Sequence, residues 1–119
     1  MSGPAGKDCV FCRIVRKELP AAVLFESESV LAFEDIRPRA PVHVLVIPKA
    51  HIASLNEAPE GSEPLLGELL TTAREMARRQ GIGDSGYRIV LNTGPHSGQE
   101  VFHIHFHVLG GRPMSWPPG

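Results

Sequence analysis

The chain has 119 residues, enough for one domain with its own core and too few for two. Its 12 Lys and Arg against 13 Asp and Glu leave a net charge of -1, which gives no electrostatic case for binding nucleic acid or an anionic membrane surface. No apolar run approaches the roughly 20 residues of a membrane-spanning helix, and residues 1–8 lack the apolar centre of a secretory signal. These features predict a cytoplasmic protein, with a flexible N-terminus over residues 1–8 and one domain over residues 9–119.

Residues 9–18 place Val10, Phe11, Ile14 and Val15 at helical spacing, with Asp8 positioned to cap the helix and Leu19-Pro20 to end it. Cys9 and Cys12 lie in its first turns and are the only cysteines. Their C-x-x-C spacing suits half of a zinc site or two small buried thiols; a redox pair is expected beside a βαβ pattern, and none follows. Three strands come next, over residues 23–26, 30–35 and 42–47, and their short connections predict an antiparallel meander.

Residues 62–80 form the main helix, because Leu65, Leu66, Leu69, Leu70, Ala73, Met76 and Ala77 build one apolar stripe. Ser62 is placed to cap it, Pro64 suits its first turn, and Gly81 can end it. A fourth strand over residues 87–92, a glycine-bearing loop over 93–98 and a fifth strand over 101–109 complete an α+β domain with an antiparallel sheet. Residues 111–119 read as an irregular tail.

The fifth strand carries His103, His105 and His107 at alternate positions. Strand periodicity puts the three imidazoles on one face and Phe102, Ile104, Phe106 and Val108 on the other. Steps of about 6.6 to 7 Å make it hard for one metal ion to take all three. A purely structural role is also poor, because three buried imidazoles need three partners. Nucleophilic catalysis explains more: a histidine nucleophile needs one nitrogen bare and the other held by an acceptor, and His105 stands between two further histidines. The loop at residues 94–99, just upstream, offers backbone N–H groups that can cradle an anion. His96 lies in that loop, outside the alternation, and reads as exposed.

Gly98-Gln-Glu-Val-Phe-His-Ile-His-Phe-His-Val-Leu-Gly-Gly111, Leu91-Asn92-Thr93-Gly94, Trp116-Pro-Pro-Gly119, Leu31-Ala-Phe-Glu-Asp-Ile36, Ala40-Pro-Val-His43 and Val46-Ile-Pro-Lys-Ala-His51 together resemble the histidine-triad (HIT) nucleotide-binding proteins. The closest likeness is to the Hint-type branch of purine nucleoside phosphoramidases, and it covers nearly the whole chain. The resemblance implies a five-stranded antiparallel sheet with two helices, and a homodimer whose two sheets make one of ten strands. It implies hydrolysis of the P–N bond in adenosine or guanosine phosphoramidates, with no cofactor required for catalysis; the charge balance above already predicts no nucleic-acid or membrane partner. His105 would be the nucleophile, His107 the phosphate contact, and His43 and His103 the supporting relay. Asn92, Gly98, Gln99 and Glu100 match positions around the phosphate and leaving group, and Asp35 matches the carboxylate that accepts both ribose hydroxyls. Phe11, Ile14, Phe33, Ile36 and Leu45 match the apolar walls around the purine. Without the resemblance, Phe33, Ile36 and Leu45 would read as core, and Asp35 and Asn92 as turn residues.

Glu100 stands where many relatives carry a serine that bonds the phosphate or leaving group. A carboxylate there repels phosphate and favours a cationic leaving amine. Bacterial-type members are similar at this position. Some members with the same C-x-x-C hold a structural zinc, and the matching set is Cys9, Cys12, His51 and His103, a Cys₂His₂ group suited to closed tetrahedral zinc. Related alternatives are a dinucleoside polyphosphate hydrolase and a non-catalytic module that binds nucleotide or zinc.

Overall fold

Alternation along the central strands decides the architecture. In β2 (Val30–Glu34), Val30 and Ala32 enter one core while Leu31 and Phe33 enter another; in β3 (Val42–Pro48), Val44 and Val46 join the first and Leu45 and Ile47 the second. Strands buried on both faces need a cover on each side. The computed structural model, which describes residues 9–119, supplies both covers. On one side lies α2 (Glu63–Arg79), which buries Leu69, Ala73, Met76 and Ala77 against Ile104, Phe106 and Val108. The other side is closed by the six-residue α1 (Val10–Val15), through Phe11 and Cys12.

Three further strands, β1 (Val23–Glu26), β4 (Tyr87–Leu91) and β5 (Phe106–Gly110), complete an antiparallel sheet of order β1-β2-β3-β5-β4. The first three strands form the expected meander. β5 inserts between β3 and β4, pairing His107 with Leu45 on one side and with Val90 on the other. No helix among the described residues is long and apolar enough to cross a membrane.

Several local expectations are corrected. The first helix stops at Val15, before Leu19-Pro20, because Lys17 turns left-handed at φ 65°. Its N-cap is Cys9, whose sulfur accepts the Cys12 N–H at 3.4 Å; Asp8 lies outside the described residues. Ser62 sits at the start of α2 but caps nothing, since its hydroxyl donates back to the Pro59 carbonyl. Pro64 in the first turn and Gly81 at φ 78° after the last behave as expected. The largest correction concerns the histidine strand, which begins only at Phe106. His103 and His105 precede the ladder in irregular backbone, and Phe102 is exposed instead of packing with Ile104.

Candidate active site and metal centre

The face of the sheet that α1 only partly covers holds a cleft of about 740 Å³. Its lining gathers residues distant in sequence: Phe11 and Ile14 from α1, Phe33, Asp35 and Ile36 from the end of β2, and His43 and Leu45 from β3. Asn92, Gly98 and Glu100 come from the loop between β4 and β5, and His105 and His107 from the triad. Two expected residues lie elsewhere. His103 is fully buried behind the cleft, and the Gln99 amide is spent on the backbone. Gln99 accepts the Gly94 N–H at 3.0 Å and donates to the carbonyls of Ala53 at 2.8 Å and Val101 at 3.2 Å. Its side chain therefore shapes the loop.

Hydrogen bonds fix the protons on the imidazoles. His105 Nδ1 lies 2.7 Å from the His103 carbonyl, which can only accept, so Nδ1 carries the proton and Nε2 keeps a bare lone pair. His43 Nδ1 accepts the Arg39 N–H at 3.0 Å, so the proton of neutral His43 is on Nε2 and is donated to His107 Nδ1 at 2.9 Å. The His107 proton is thereby placed on Nε2, making that atom a donor. Burial pushes His105 and His43 below the ordinary histidine range and takes His107 to about 4, helped by the neighbouring imidazoles. All three rings are neutral near pH 7, as a nucleophile and its relay require.

Asp35 serves as a turn residue and remains a candidate acceptor. Its Oδ1 accepts the Arg37 N–H at 2.8 Å, while Oδ2 lies 3.4 Å from His43 Nε2. Asp35, His43 and His107 bring three donor atoms close enough to suggest a metal. The Arg39 N–H argues against it, because a metal on His43 Nε2 would shift the ring proton to Nδ1 and set two donors face to face. Arg39 escaped the sequence reading, since its contribution is a backbone amide; the proline-flanked loop just before His43 was the available signal. His96 is exposed, as expected.

A second cluster lies beneath the triad. The Nδ1 of His103 faces Cys9 Sγ at 3.4 Å and Cys12 Sγ at 3.6 Å, and the Nδ1 of His51 faces Cys12 Sγ at 3.3 Å. His103 Nε2 donates to the Pro48 carbonyl at 2.8 Å, leaving Nδ1 unprotonated and aimed at both sulfurs. Zinc bonds of about 2.3 Å to sulfur and 2.0 Å to nitrogen, at the tetrahedral angle, set S···N edges of about 3.5 Å. The four donor atoms lie within 4.8 Å of one another. The donors therefore fit a closed tetrahedral metal, and a group with four protein ligands supplies structure and no open coordination position.

A pH experiment tests the burial of the relay. Between pH 6.5 and about 4 the unfolded chain holds a proton on His107 that the folded chain refuses, so stability falls as the pH is lowered through that window. The gap corresponds to at most about 3 kcal/mol, reduced by water at this partly exposed ring. Denaturant unfolding at pH 7, 5.5 and 4.5 should show a shallower loss in His107→Asn than in the wild type; equal slopes would contradict the assignment.

Comparison with known proteins agrees with this geometry. The HIT domain model matches residues 16–114. The adenylylsulfatase HINT1 of Arabidopsis thaliana is 47% identical over 118 residues, 98% of this chain and 80% of the relative. A HIT family hydrolase from Legionella pneumophila superposes with a TM-score of 0.91 at 50% identity, covering 93% of this chain and 99% of that one. A zinc-bound histidine triad family protein from Mycobacterium smegmatis gives 0.75 at 38% identity, covering 87% and 75%. With a shared fold, a matched domain and the three histidines in one constellation, the chain belongs to the HIT family.

Proposed function

We propose that the protein is a hydrolase of purine nucleoside 5′-phosphoramidates. The observation that carries the reading is the His105 ring, whose Nδ1–H is tied to the His103 carbonyl so that its bare Nε2 meets the cleft. The purine would lie among Phe11, Ile14, Phe33, Ile36 and Leu45; Ile36 is 89% exposed, an apolar surface that a base would cover. The ribose diol would donate to Asp35, which retains lone pairs beyond its turn bond. The α-phosphate would rest against Asn92, Gly98 and the His107 Nε2–H.

In the first step His105 Nε2 donates its pair to phosphorus, a P–Nε2 bond forms, and the substrate P–N bond breaks with its electrons passing to the amine nitrogen, which takes up a proton from solvent. Water then attacks phosphorus and releases a proton to solvent, the electrons of the breaking P–Nε2 bond return to Nε2, and the nucleoside monophosphate leaves with His105 restored. In the resting state the His43 Nε2–H bond fixes His107 with its remaining proton outward. Cys9, Cys12, His51 and His103 would hold a structural zinc, a reading supported by the fit of the donors and by the zinc-bound relative. The unpaired outer edge of β4 suits pairing with a second copy, giving the ten-stranded homodimer. Arg88 on that strand donates to the Ser115 carbonyl at 3.0 Å and stacks on Trp116, keeping the tail beside the edge. A cytoplasmic location completes the proposal.

The test is a substrate panel. Adenosine 5′-phosphoramidate should be cleaved faster than adenylyl sulfate, the class named for the Arabidopsis relative, and faster than a dinucleoside polyphosphate. A nucleotidyl adduct on the protein should appear by intact mass after rapid quenching. Tight AMP binding with no turnover of any of the three would replace the proposal with a non-catalytic binding module.

Glu100 gives the leaving-group prediction. It is exposed on the cleft lining, so its charge acts through screened solvent and alters rates by factors, not by orders of magnitude. Glu100→Ser should lower kcat/KM for a cationic leaving amine relative to a neutral one by about threefold to tenfold, and the difference should shrink in high salt. An unchanged ratio would remove Glu100 from leaving-group selection.

A further inference from the structure

Three chain segments meet at the thiol–imidazole cluster, and each also carries a part of the cleft. Helix α1 and its N-cap supply Cys12 and Cys9, and between them Phe11, whose ring stands edge-on to His105 at 5.1 Å, to Phe33 at 5.7 Å and to His103 at 5.8 Å. The segment after β3 supplies His51, and its next two carbonyls are both committed to the active-site side. Ile52 accepts the Ile104 N–H at 2.7 Å, and Ala53 accepts the Gln99 amide at 2.8 Å. Gln99 in turn ties the start of the phosphate loop at Gly94 to its end at Val101. The third segment is His103 itself, whose carbonyl holds the nucleophile's ring proton at 2.7 Å.

We propose that the Cys9–Cys12–His51–His103 centre is energetically coupled to the nucleotide cleft, so that a bound metal and a bound nucleotide each raise the other's affinity. The proposal rests on the nucleotide-binding and metal readings above. The physical basis is the shortness of the parts. A six-residue helix cannot hold its own position, and residues 51–53 and 101–105 belong to no strand. Four ligands drawn from these three segments fix them relative to one another. A nucleotide between Phe11 and Ile14 on one wall and the Gly98 loop on the other needs the same segments fixed. Whichever ligand arrives first bears the ordering cost, and the second binds to a prepared site. Phe11, Gln99 and the carbonyls of Ile52, Ala53 and His103 are therefore positioning groups that connect the two sites.

Coupling of binding free energies is reciprocal, and that property gives the test. The affinity of AMP is measured by calorimetry on metal-loaded protein and on chelator-stripped protein whose circular dichroism shows it folded. The affinity of Co(II) is measured by chelator competition, through its thiolate absorption, with and without saturating AMP. Both ratios should be about tenfold and equal to each other. In Gln99→Met, which keeps volume and loses the amide bonds, both ratios should move towards one. A cadmium-113 form studied fully loaded avoids the metal-free state, and AMP should move its resonance.

Ratios of one with both ligands bound, or an unmoved cadmium resonance at saturating AMP, overturn the coupling and leave the nucleotide site standing. Failure of AMP to bind either form overturns the nucleotide reading itself. Absence of thiolate absorption with Co(II) overturns the metal centre and the coupling together.

Discussion

His105→Asn is expected to slow hydrolysis of adenosine 5′-phosphoramidate by about 10⁴-fold while leaving AMP affinity within about threefold. The two effects separate because the ring has two separate duties. Nε2 supplies the electron pair for the new bond to phosphorus, and an asparagine amide has no comparable nucleophile. Nδ1–H only donates to the His103 carbonyl, and an asparagine N–H can satisfy the same acceptor. The walls that hold base and ribose remain, so ground-state binding persists. Steady-state kinetics, calorimetry with AMP and intact mass after quenching provide the measurements. The adduct should vanish in the variant; turnover within tenfold of wild type would show that His105 is not the nucleophile.

Stripping the metal centre should lower the melting midpoint by about 15 °C, and Cys12→Ala should do the same without a chelator. A metal present at about 1,000 times its dissociation constant contributes about 4 kcal/mol by mass action. In a chain of this size each kcal/mol moves the midpoint by about 4 °C. Cys9, Cys12 and His103 are buried, His51 is half-buried, and the four come from three segments far apart in sequence, so the closed centre resists their separation. Chelation and Cys12→Ala remove one interaction, and their effects should not add. Metal analysis alongside the melts decides the matter, since equal midpoints for protein with stoichiometric metal and without it would refute a stabilising centre.

Legibility of the sequence followed how each residue is held. The strands of the meander were readable because Leu31, Phe33, Leu45 and Ile47 alternate with Val30, Ala32, Val44 and Val46, and a strand buried on both faces leaves little choice of register. The triad strand was misjudged over residues 101–105 for a reason outside its own sequence. Continuing the ladder would set Ile104 opposite Pro48, which has no N–H to give and whose carbonyl is taken by the His103 ring. Alternation also treats the three histidines as equivalent, whereas the structure turns His103 inward to the cysteines. The family resemblance assembled most of the cleft lining. It could not show where the Gln99 amide is spent, because that depends on the carbonyls of Ala53 and Val101.

The insertion of β5 between β3 and β4 has a consequence for biosynthesis. A ribosome releases β3 long before residues 106–110, so its edge waits open while β4, close to β5 in sequence, pairs with it locally, and no partial chain holds His43 beside His107. Closure of the sheet joins β3 to β5, strands more than 50 residues apart, a slow type of contact that exposes Val44 and Val46 to other chains while they wait. Catalytic competence and protection from aggregation are therefore acquired in the same late event, the docking of one five-residue strand.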